Sequence, residues 1–260
     1  MSYLDEMYGL SGKVAAIVGG SGVLGGSMAE ALAKAGASVA ILYHNNKEGA
    51  EKRVASIKNS GGKAIAVQAD TSSRTNLEEA LKEIVGQWKH VDILVNAPGV
   101  NSPTPIFDIK DEEWHRILDT NLKGVFQACR VFAKHMLDNK IQGSIINISS
   151  ASSEIPLSKV FTYSISKAGV NNMTRFLARE WATQGVRVNA IMPGFFPAEQ
   201  NRKILTEERK KSIFGHTPMG RFGEADELAG AVVWLASSKA SSFVTGAVIA
   251  VDGGFTAMTI

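Results

Sequence analysis

A tyrosine and a lysine four residues apart, Tyr163 and Lys167, are the side chains of this sequence best suited to proton transfer. Residues at this spacing lie on one face of a helix, so the phenol and the ammonium would be neighbours. A phenol has an ordinary pKa of about 10, and a nearby positive charge lowers that pKa by favouring the phenolate. Tyr163 would then act as a general acid or base near neutral pH, although an isolated pair of this kind is more often a surface pair.

Two further polar groups make the pair less isolated. Ser150 ends a predicted strand, where its hydroxyl can bond a carbonyl or alcohol oxygen. Asn121 lies inside a predicted helix over 111–138, a position that disfavours asparagine unless its side chain has a role. Such an amide could hold a water and a kink in the helix for a proton relay.

The elements that must position these residues alternate between strand and helix along the chain. Continuous apolar runs such as 14–18 are typical of strands buried on both faces of a parallel sheet. The predicted strands are 14–18, 38–43, 64–69, 91–95, 144–148, 187–191 and 247–251, and the predicted helices are 28–35, 47–59, 74–88, 111–138 and 162–183. This alternation predicts a single α/β domain over 1–260 with helices on both sheet faces. A polar segment at about 195–221 is interpreted as a lid over the carboxyl ends of the strands, where such sheets bind ligands.

A glycine-rich turn, Gly19-Gly20-Ser21-Gly22-Val23-Leu24-Gly25-Gly26, joins the first strand to the first helix. Glycines there let the backbone approach a pyrophosphate, and the helix N-terminus supplies N–H groups and a partial positive charge. The context predicts a dinucleotide site; a tight turn with no ligand is the alternative.

The end of the second strand bears on the choice of cofactor. An NAD site usually has an acid there to bind the ribose hydroxyls, but this sequence has Tyr43, followed by His44, Asn45 and Lys47. Nothing in this segment repels a 2′-phosphate, so NADP(H) is favoured and NAD(H) is the alternative.

Composition excludes several classes of protein. The 260 residues are 45% hydrophobic, which is ample for a core and excludes a disordered chain. With 28 basic and 25 acidic residues the net charge is only +3, so we expect no nucleic-acid partner. The single cysteine, Cys129, sits among apolar residues and is predicted to be a buried, inert thiol. The N-terminal segment has acids where a signal peptide needs bases, and no apolar run reaches membrane-spanning length, so we expect a cytoplasmic protein without membrane contact.

Taken together, the motifs resemble those of the short-chain dehydrogenase/reductase family over essentially the whole chain. The matching positions are the glycine turn at 19–25, Asp70, 96–99, Asn121, Ser150, Tyr163 with Lys167, Pro193-Gly194 and 251–254. The resemblance implies a Rossmann-type, doubly wound sheet of seven parallel strands, and a homotetramer. It further implies that Tyr163 exchanges the proton, Lys167 lowers its pKa and binds the nicotinamide ribose, Ser150 orients the substrate oxygen, and Asn121 completes the relay. We expect no metal.

The cofactor-binding residues follow from the turn, the second strand and this resemblance. They are predicted to be Gly19, Ser21, Val23, Leu24, Tyr43, His44, Asn45, Asp70, Thr71, Asn96, Ala97, Tyr163, Lys167, Pro193, Gly194 and Phe196.

Three departures from the family pattern bear on cofactor binding. Val18 and Val23 replace a Thr and a Gly of the usual turn, and the usual Asn-Asn-Ala-Gly is here 96–99 with Ala97 and Pro98. Ala198 replaces a Thr that often holds the nicotinamide carboxamide.

The lid suggests a polar, small-molecule substrate. Gln200, Asn201 and Arg202 offer donors and acceptors suited to a polyhydroxylated molecule, and Arg202 could pair with a carboxylate. The lid and the turn resemble those of the mannonate (fructuronate) oxidoreductase branch, which implies a sugar acid or a polyol. The alternatives are a 3-ketoacyl thioester reductase and, from another class, a catalytically silent nucleotide-binding regulatory protein.

Overall fold

The computed structural model describes residues 2–197 and 205–258 of the chain. Within these residues seven strands form one parallel sheet in the order β3-β2-β1-β4-β5-β6-β7. The strands are β1 Val14–Val18, β2 Ser38–Tyr43, β3 Lys63–Gln68, β4 Ile93–Asn96, β5 Ser144–Ile148, β6 Arg187–Pro193 and β7 Val248–Val251. The predicted fold class, a doubly wound sheet of seven parallel strands, is confirmed.

Nine α-helices are present in the part of the chain that the structure describes. They are α1 Tyr3–Tyr8, α2 Val23–Lys34, α3 Lys47–Asn59, α4 Arg74–Trp88, α5 Asp111–Leu118, α6 Gly124–Asp138, α7 Phe161–Trp181, α8 Glu207–Gly215 and α9 Ala229–Ala236. Short 3₁₀ turns occupy Ile106–Asp108, Ala151–Ser153, Ala182–Gln184, Ala225–Leu228 and Phe255–Ala257. None of these helices is both long and apolar enough to cross a membrane.

The core lies on both faces of the sheet because successive residues of a strand point to opposite sides. In β1, Ala15 and Ile17 face a cluster covered by α2, α3 and α9, whereas the alternate residues face a cluster covered by α4, α6 and α7. All five residues of β1 are buried, which explains its uninterrupted apolar sequence. The strand order reverses between β1 and β4, and this switch point opens a crevice at the carboxyl ends of the two strands.

The structure corrects one predicted helix and adds helices that were not predicted, among them α1 and α9. The single helix predicted over 111–138 is instead divided into α5 and α6 by a π-helical turn at Asp119–Lys123, which contains Asn121. The α9 helix was not predicted at all. Its sequence, AGAVVWLA, is apolar on every side and therefore shows no amphipathic period.

A histidine of α6 is expected to make the stability of the fold depend on pH. The backbone N–H of Val91 donates to Nε2 of His135 at 3.3 Å, so that nitrogen must be unprotonated. Burial lowers the pKa of His135, with a further contribution from His90, while Asp138 and Asp92 oppose the shift. Below the ordinary imidazole pKa of about 6.5, the unfolded chain takes up a proton that the folded chain resists. The free energy of unfolding should therefore fall as the pH decreases from about 6.5.

Urea unfolding at pH about 7.5 and about 5.5 measures this effect. The matched variant is His135→Gln, whose amide oxygen can accept the same N–H without titrating. We expect the free energy of unfolding to change less between the two pH values in the variant than in the parent. Equal changes in the two proteins would contradict the role given to His135.

Candidate active site

A cleft of about 410 Å³ opens at the carboxyl ends of β1, β4, β5 and β6. It contains residues of the glycine turn, of the segments that follow β4, β5 and β6, and of α7. Its lining residues are Gly19, Gly22, Val23, Leu24, Gly25, Ala97, Pro98, Gly99, Val100, Ile148, Ser149, Ser150, Tyr163, Lys167, Pro193, Gly194 and Phe196.

The predicted proton-transfer side chains meet inside this cleft. Tyr163 and Lys167 lie on one face of α7, and Lys167 Nζ is 5.6 Å from the centroid of the Tyr163 ring. The ammonium is buried and donates to the backbone oxygens of Ile148 at 2.8 Å and Pro98 at 3.4 Å. Ser150 follows β5 and is a hydrogen-bond partner of the phenol. The i, i+4 spacing therefore produces the predicted juxtaposition, and the strand end brings the serine to it.

The protein groups shift the two pKa values in a direction that the sequence did not predict. Burial raises the pKa of Tyr163, and the hydrogen bond from Ser150 opposes the shift without overcoming it. Burial also lowers the pKa of Lys167 to about 8, because the charged ammonium loses its hydration. The sequence predicts a lowered tyrosine pKa from the lysine cation and an oxidised nicotinamide together. Among the protein groups alone, desolvation has the larger effect and raises that pKa, and the contribution of an oxidised nicotinamide stays a prediction.

Asn121 lies next to the cleft rather than in its lining. Its Oδ1 accepts from Val100 N at 2.8 Å, and its Nδ2 donates to Val100 O at 2.9 Å and to Ser166 Oγ at 3.2 Å. The Ser166 hydroxyl in turn donates to the backbone oxygen of Tyr163 at 2.6 Å. The side chain therefore joins the 98–101 loop to the first turns of α7, and the π-helical turn directs it there. Its part in a proton relay stays a prediction.

The glycine turn has the geometry that close approach of a phosphate requires. Gly19 has a φ of +72°, and a Cβ there would lie 2.7 Å from the backbone oxygen of Ala97. A Cβ at Gly25 would collide with the backbone oxygen of Gly19. The α2 helix begins at Val23 with Gly22 as its N-cap and no side-chain cap, so its first N–H groups are left for a ligand. These residues fit the pyrophosphate of a dinucleotide.

The predicted adenosine side brings together residues from β2 and the segment after β3. Tyr43 is buried, His44 and Asn45 are exposed, and His44 Nε2 is 3.8 Å from Asp70 Oδ2. Burial alone would raise the pKa of Asp70, but hydrogen bonds from Ser72 and the nearby imidazole outweigh it and lower that pKa. Lys47 Nζ lies 3.7 Å from Glu51 Oε1, so the lysine forms an ion pair on the surface of α3.

Asn96 does not present its side chain to the cleft. Its Nδ2 donates to Asn147 Oδ1 at 2.9 Å and to Cys129 Sγ at 3.3 Å, and the residue is fully buried. Only its backbone can take part in the predicted cofactor contact. Cys129 is buried as predicted, and burial raises the pKa of its thiol to about 12.

Comparison with known proteins identifies the family. A family model described as enoyl-(acyl carrier protein) reductase matches residues 21–256. The curated relative "Uncharacterized oxidoreductase UxuB" from Bacillus subtilis is 41% identical over 269 residues, covering 95% of this chain and 96% of that protein. The chain belongs to the short-chain dehydrogenase/reductase family.

Other members of this family differ in substrate. Glucose 1-dehydrogenase 2 from Bacillus subtilis is 37% identical, with 95% of this chain and 96% of that protein covered. A gluconate 5-dehydrogenase from Burkholderia cenocepacia, solved with NADP and tartrate, has a TM-score of 0.93 at 32% identity; the match covers 99% of this chain and all of that one. These relatives are dehydrogenases and reductases that act on CH–OH groups, and this chain is an oxidoreductase of the same kind.

The remaining predicted site residues lie in three different places. Pro193, Gly194 and Phe196 line the cleft, whereas the Thr71 hydroxyl lies against Gly124 at the start of α6. Gln200, Asn201, Arg202 and Ala198 lie outside the described residues. Among the residues that the structure describes, none forms a cluster able to hold a metal. Pro98 and Gly99 line the cleft; sequence reasoning placed them in a family motif but not among the cofactor-binding residues. It missed Ser166, which links Asn121 to α7, and only the position of Ser166 beside Lys167 could have indicated it.

Proposed function

We propose that this protein is an NADP(H)-dependent dehydrogenase/reductase that interconverts a ketone and a secondary alcohol in a sugar acid or polyol. The observation that carries the proposal is the cleft itself, in which Ser150, Tyr163 and Lys167 share one lining with the glycine turn. A nucleotide-binding protein without a reaction has no use for a phenol, a hydroxyl and a buried ammonium arranged in this way, so the catalytically silent alternative is disfavoured.

Each polar group in the cleft has one part in the proposed reaction. Ser150 donates a hydrogen bond to the substrate oxygen and holds it against Tyr163. The tyrosine gives its proton to that oxygen in reduction and takes it back in oxidation. Lys167 supports the phenolate electrostatically and binds the nicotinamide ribose, while Asn121 keeps the 98–101 loop against α7.

The residues that would hold the cofactor run from the glycine turn to the ends of β4 and β6. Gly19, Ser21, Val23 and Leu24 would receive the pyrophosphate, Ala97, Pro193, Gly194 and Phe196 the nicotinamide half, and Tyr43, His44, Asn45, Asp70 and Thr71 the adenosine half. Bound there, the nicotinamide would supply the hydride and, when oxidised, a positive charge that favours the phenolate. The absence of an acid over 43–47 favours a 2′-phosphate, and the gluconate 5-dehydrogenase neighbour carries NADP.

Adding one negative charge at the end of β2 tests this preference. The isosteric change Asn45→Asp is expected to raise the KM for NADPH about tenfold and to change the KM for NADH little, because only the former carries the phosphate. Asn59→Asp, at the opposite end of α3, adds the same charge away from the site and serves as control. An equal change for both nicotinamides, or exclusive use of NAD(H) by the parent, would exclude the assignment of this segment to the phosphate.

The substrate class rests on relatives and on the lid sequence. Gluconate and glucose dehydrogenases are among the similar proteins, and the lid resembles that of the mannonate (fructuronate) branch, so fructuronate or mannonate is the first candidate. The 3-ketoacyl thioester reductase alternative is supported by a FabG from Staphylococcus epidermidis that is 37% identical. A screen of sugar acids, polyols and ketoacyl esters with each nicotinamide, followed by absorbance of the reduced cofactor, decides between them. Turnover confined to the thioesters would refute the sugar-acid proposal.

The proposal includes a cytoplasmic homotetramer. Exposed aromatic residues on α6 and α7, namely Phe126, Phe161 and Phe176, favour contacts between copies of the chain. The single cysteine is compatible with a reducing compartment. Light scattering at micromolar concentration should report four chains per particle; a monomer would refute the assembly.

A further inference from the structure

The hydroxyl of Ser150 is held by its own loop in a way that restricts where its proton can point. It accepts hydrogen bonds from Ser152 Oγ at 3.1 Å and from Ser152 N at 3.3 Å. A serine hydroxyl has two lone pairs and one proton. With both lone pairs engaged by Ser152, the proton of Ser150 is left to point elsewhere, and Ser150 lines the same cleft as the phenol of Tyr163.

The backbone of this loop is fixed by separate contacts. Ser153 Oγ donates to the backbone oxygen of Ser150 at 2.6 Å, and Asn171 Nδ2 donates to Ser153 Oγ at 2.8 Å. Asn171 is buried and lies on α7 one turn beyond Lys167, on the helix face that also carries Tyr163. The helix that carries the phenol therefore also anchors the serine loop. Removing the Ser152 hydroxyl should consequently leave Ser150 in place and change only the direction of its proton.

We propose that Ser152 is a positioning residue that directs the proton of Ser150 toward the reacting oxygen. The inference rests on the proposed function, because it assigns a role to the donor that Ser150 presents to Tyr163 and the substrate. Ser152 itself is buried, with 4% of its surface exposed. It touches the reaction only through Ser150.

The first test compares Ser152→Ala with the parent enzyme on whichever substrate the screen identifies. We expect kcat to fall about tenfold, as for the loss of one orienting hydrogen bond, with the KM for the cofactor within about twofold of the parent. The pH at which the oxidation rate reaches half its maximum should also rise, by about half a pH unit. The reason is that a less well directed Ser150 proton stabilises the phenolate less. Ser152→Cys, with a weak donor of similar size, should give an intermediate rate.

Ser241→Ala is the matched control for a buried hydroxyl. Ser241 is 2% exposed and donates to the backbone oxygens of Ser237 at 2.8 Å and Leu235 at 3.2 Å, away from the cleft. Its loss should lower Tm without moving kcat or the pH profile. If Ser152→Ala behaved like this control, the proposal would be overturned.

A double-mutant cycle with Ser150→Ala provides the decisive readout. If Ser152 acts through Ser150, then Ser152→Ala should have no further effect on kcat once Ser150 is alanine. Additive losses would overturn the proposal and show an independent, structural role. A parent enzyme that turned over no substrate with either nicotinamide would instead refute the proposed function, and the inference with it, so the two failures are distinct.

Discussion

Replacing Tyr163 with phenylalanine is expected to lower kcat by about 10²–10⁴-fold, the range that a general acid or base contributes. The phenol lies in the cleft with Ser150 as its partner and Lys167 Nζ 5.6 Å from its ring centroid. Phenylalanine keeps the ring and its packing but cannot exchange a proton. Cofactor affinity, measured by titration of protein fluorescence with NADPH, should change by less than about threefold.

The control for this change is Tyr8→Phe, since Tyr8 is exposed on α1 and away from the cleft. That variant should retain parental kcat and affinity. If Tyr163→Phe and Tyr8→Phe both retained near-normal turnover, a group other than Tyr163 would have to be the proton donor.

The direction of the Tyr163 pKa shift also sets the expected pH dependence. Since burial raises this pKa, the phenol form predominates near neutral pH and reduction, which consumes a proton, is favoured there. Oxidation requires the phenolate and should therefore accelerate as the pH rises toward the raised pKa. Lys167, with a pKa of about 8, loses its charge over part of that range and so limits the gain.

The features that the sequence predicted well are those determined by local geometry. Tyr163 and Lys167 share a helix face because four residues make about one turn, and β1 is recognisable because a doubly covered parallel strand is apolar throughout. The glycine turn was likewise located by its place between a strand and a helix. The α/β class followed from such patterns, while the count of seven strands and the enzyme class came from the resemblance to the short-chain dehydrogenase/reductase family.

The features that it missed depend on tertiary environment. The π-helical turn around Asn121 requires one extra residue in a turn, which leaves no periodic mark in a helix of this length. The side chain of Asn96 enters the core, where its Nδ2 donates to Asn147 and Cys129, and a strand-end motif does not specify that direction. The pKa of Tyr163 is set by burial, which no spacing between residues reveals.

Replacing Gly19 with alanine is expected to weaken NADPH binding by about a hundredfold. The residue has a φ of +72°, and a new Cβ would lie 2.7 Å from Ala97 O, 2.8 Å from Ala97 C and 3.0 Å from Pro98 N. All three neighbours are backbone atoms of the segment that follows β4, so the strain cannot be relieved by turning a side chain. Either the glycine turn or the 97–98 segment must move, and both line the cleft.

Gly12→Ala separates the conformational penalty from the collision. Gly12 has a φ of +79° but would place its Cβ with no atom within 4 Å, and it precedes β1 at the opposite end of the strand from the cleft. Both variants pay the left-handed backbone cost of about 1 kcal/mol, so both should show a lower Tm. Only Gly19→Ala should lose affinity for NADPH, because only there does the backbone that receives the pyrophosphate have to shift. Equal affinities in the two variants would mean that the turn does not bind the cofactor, and the cleft would then need another ligand.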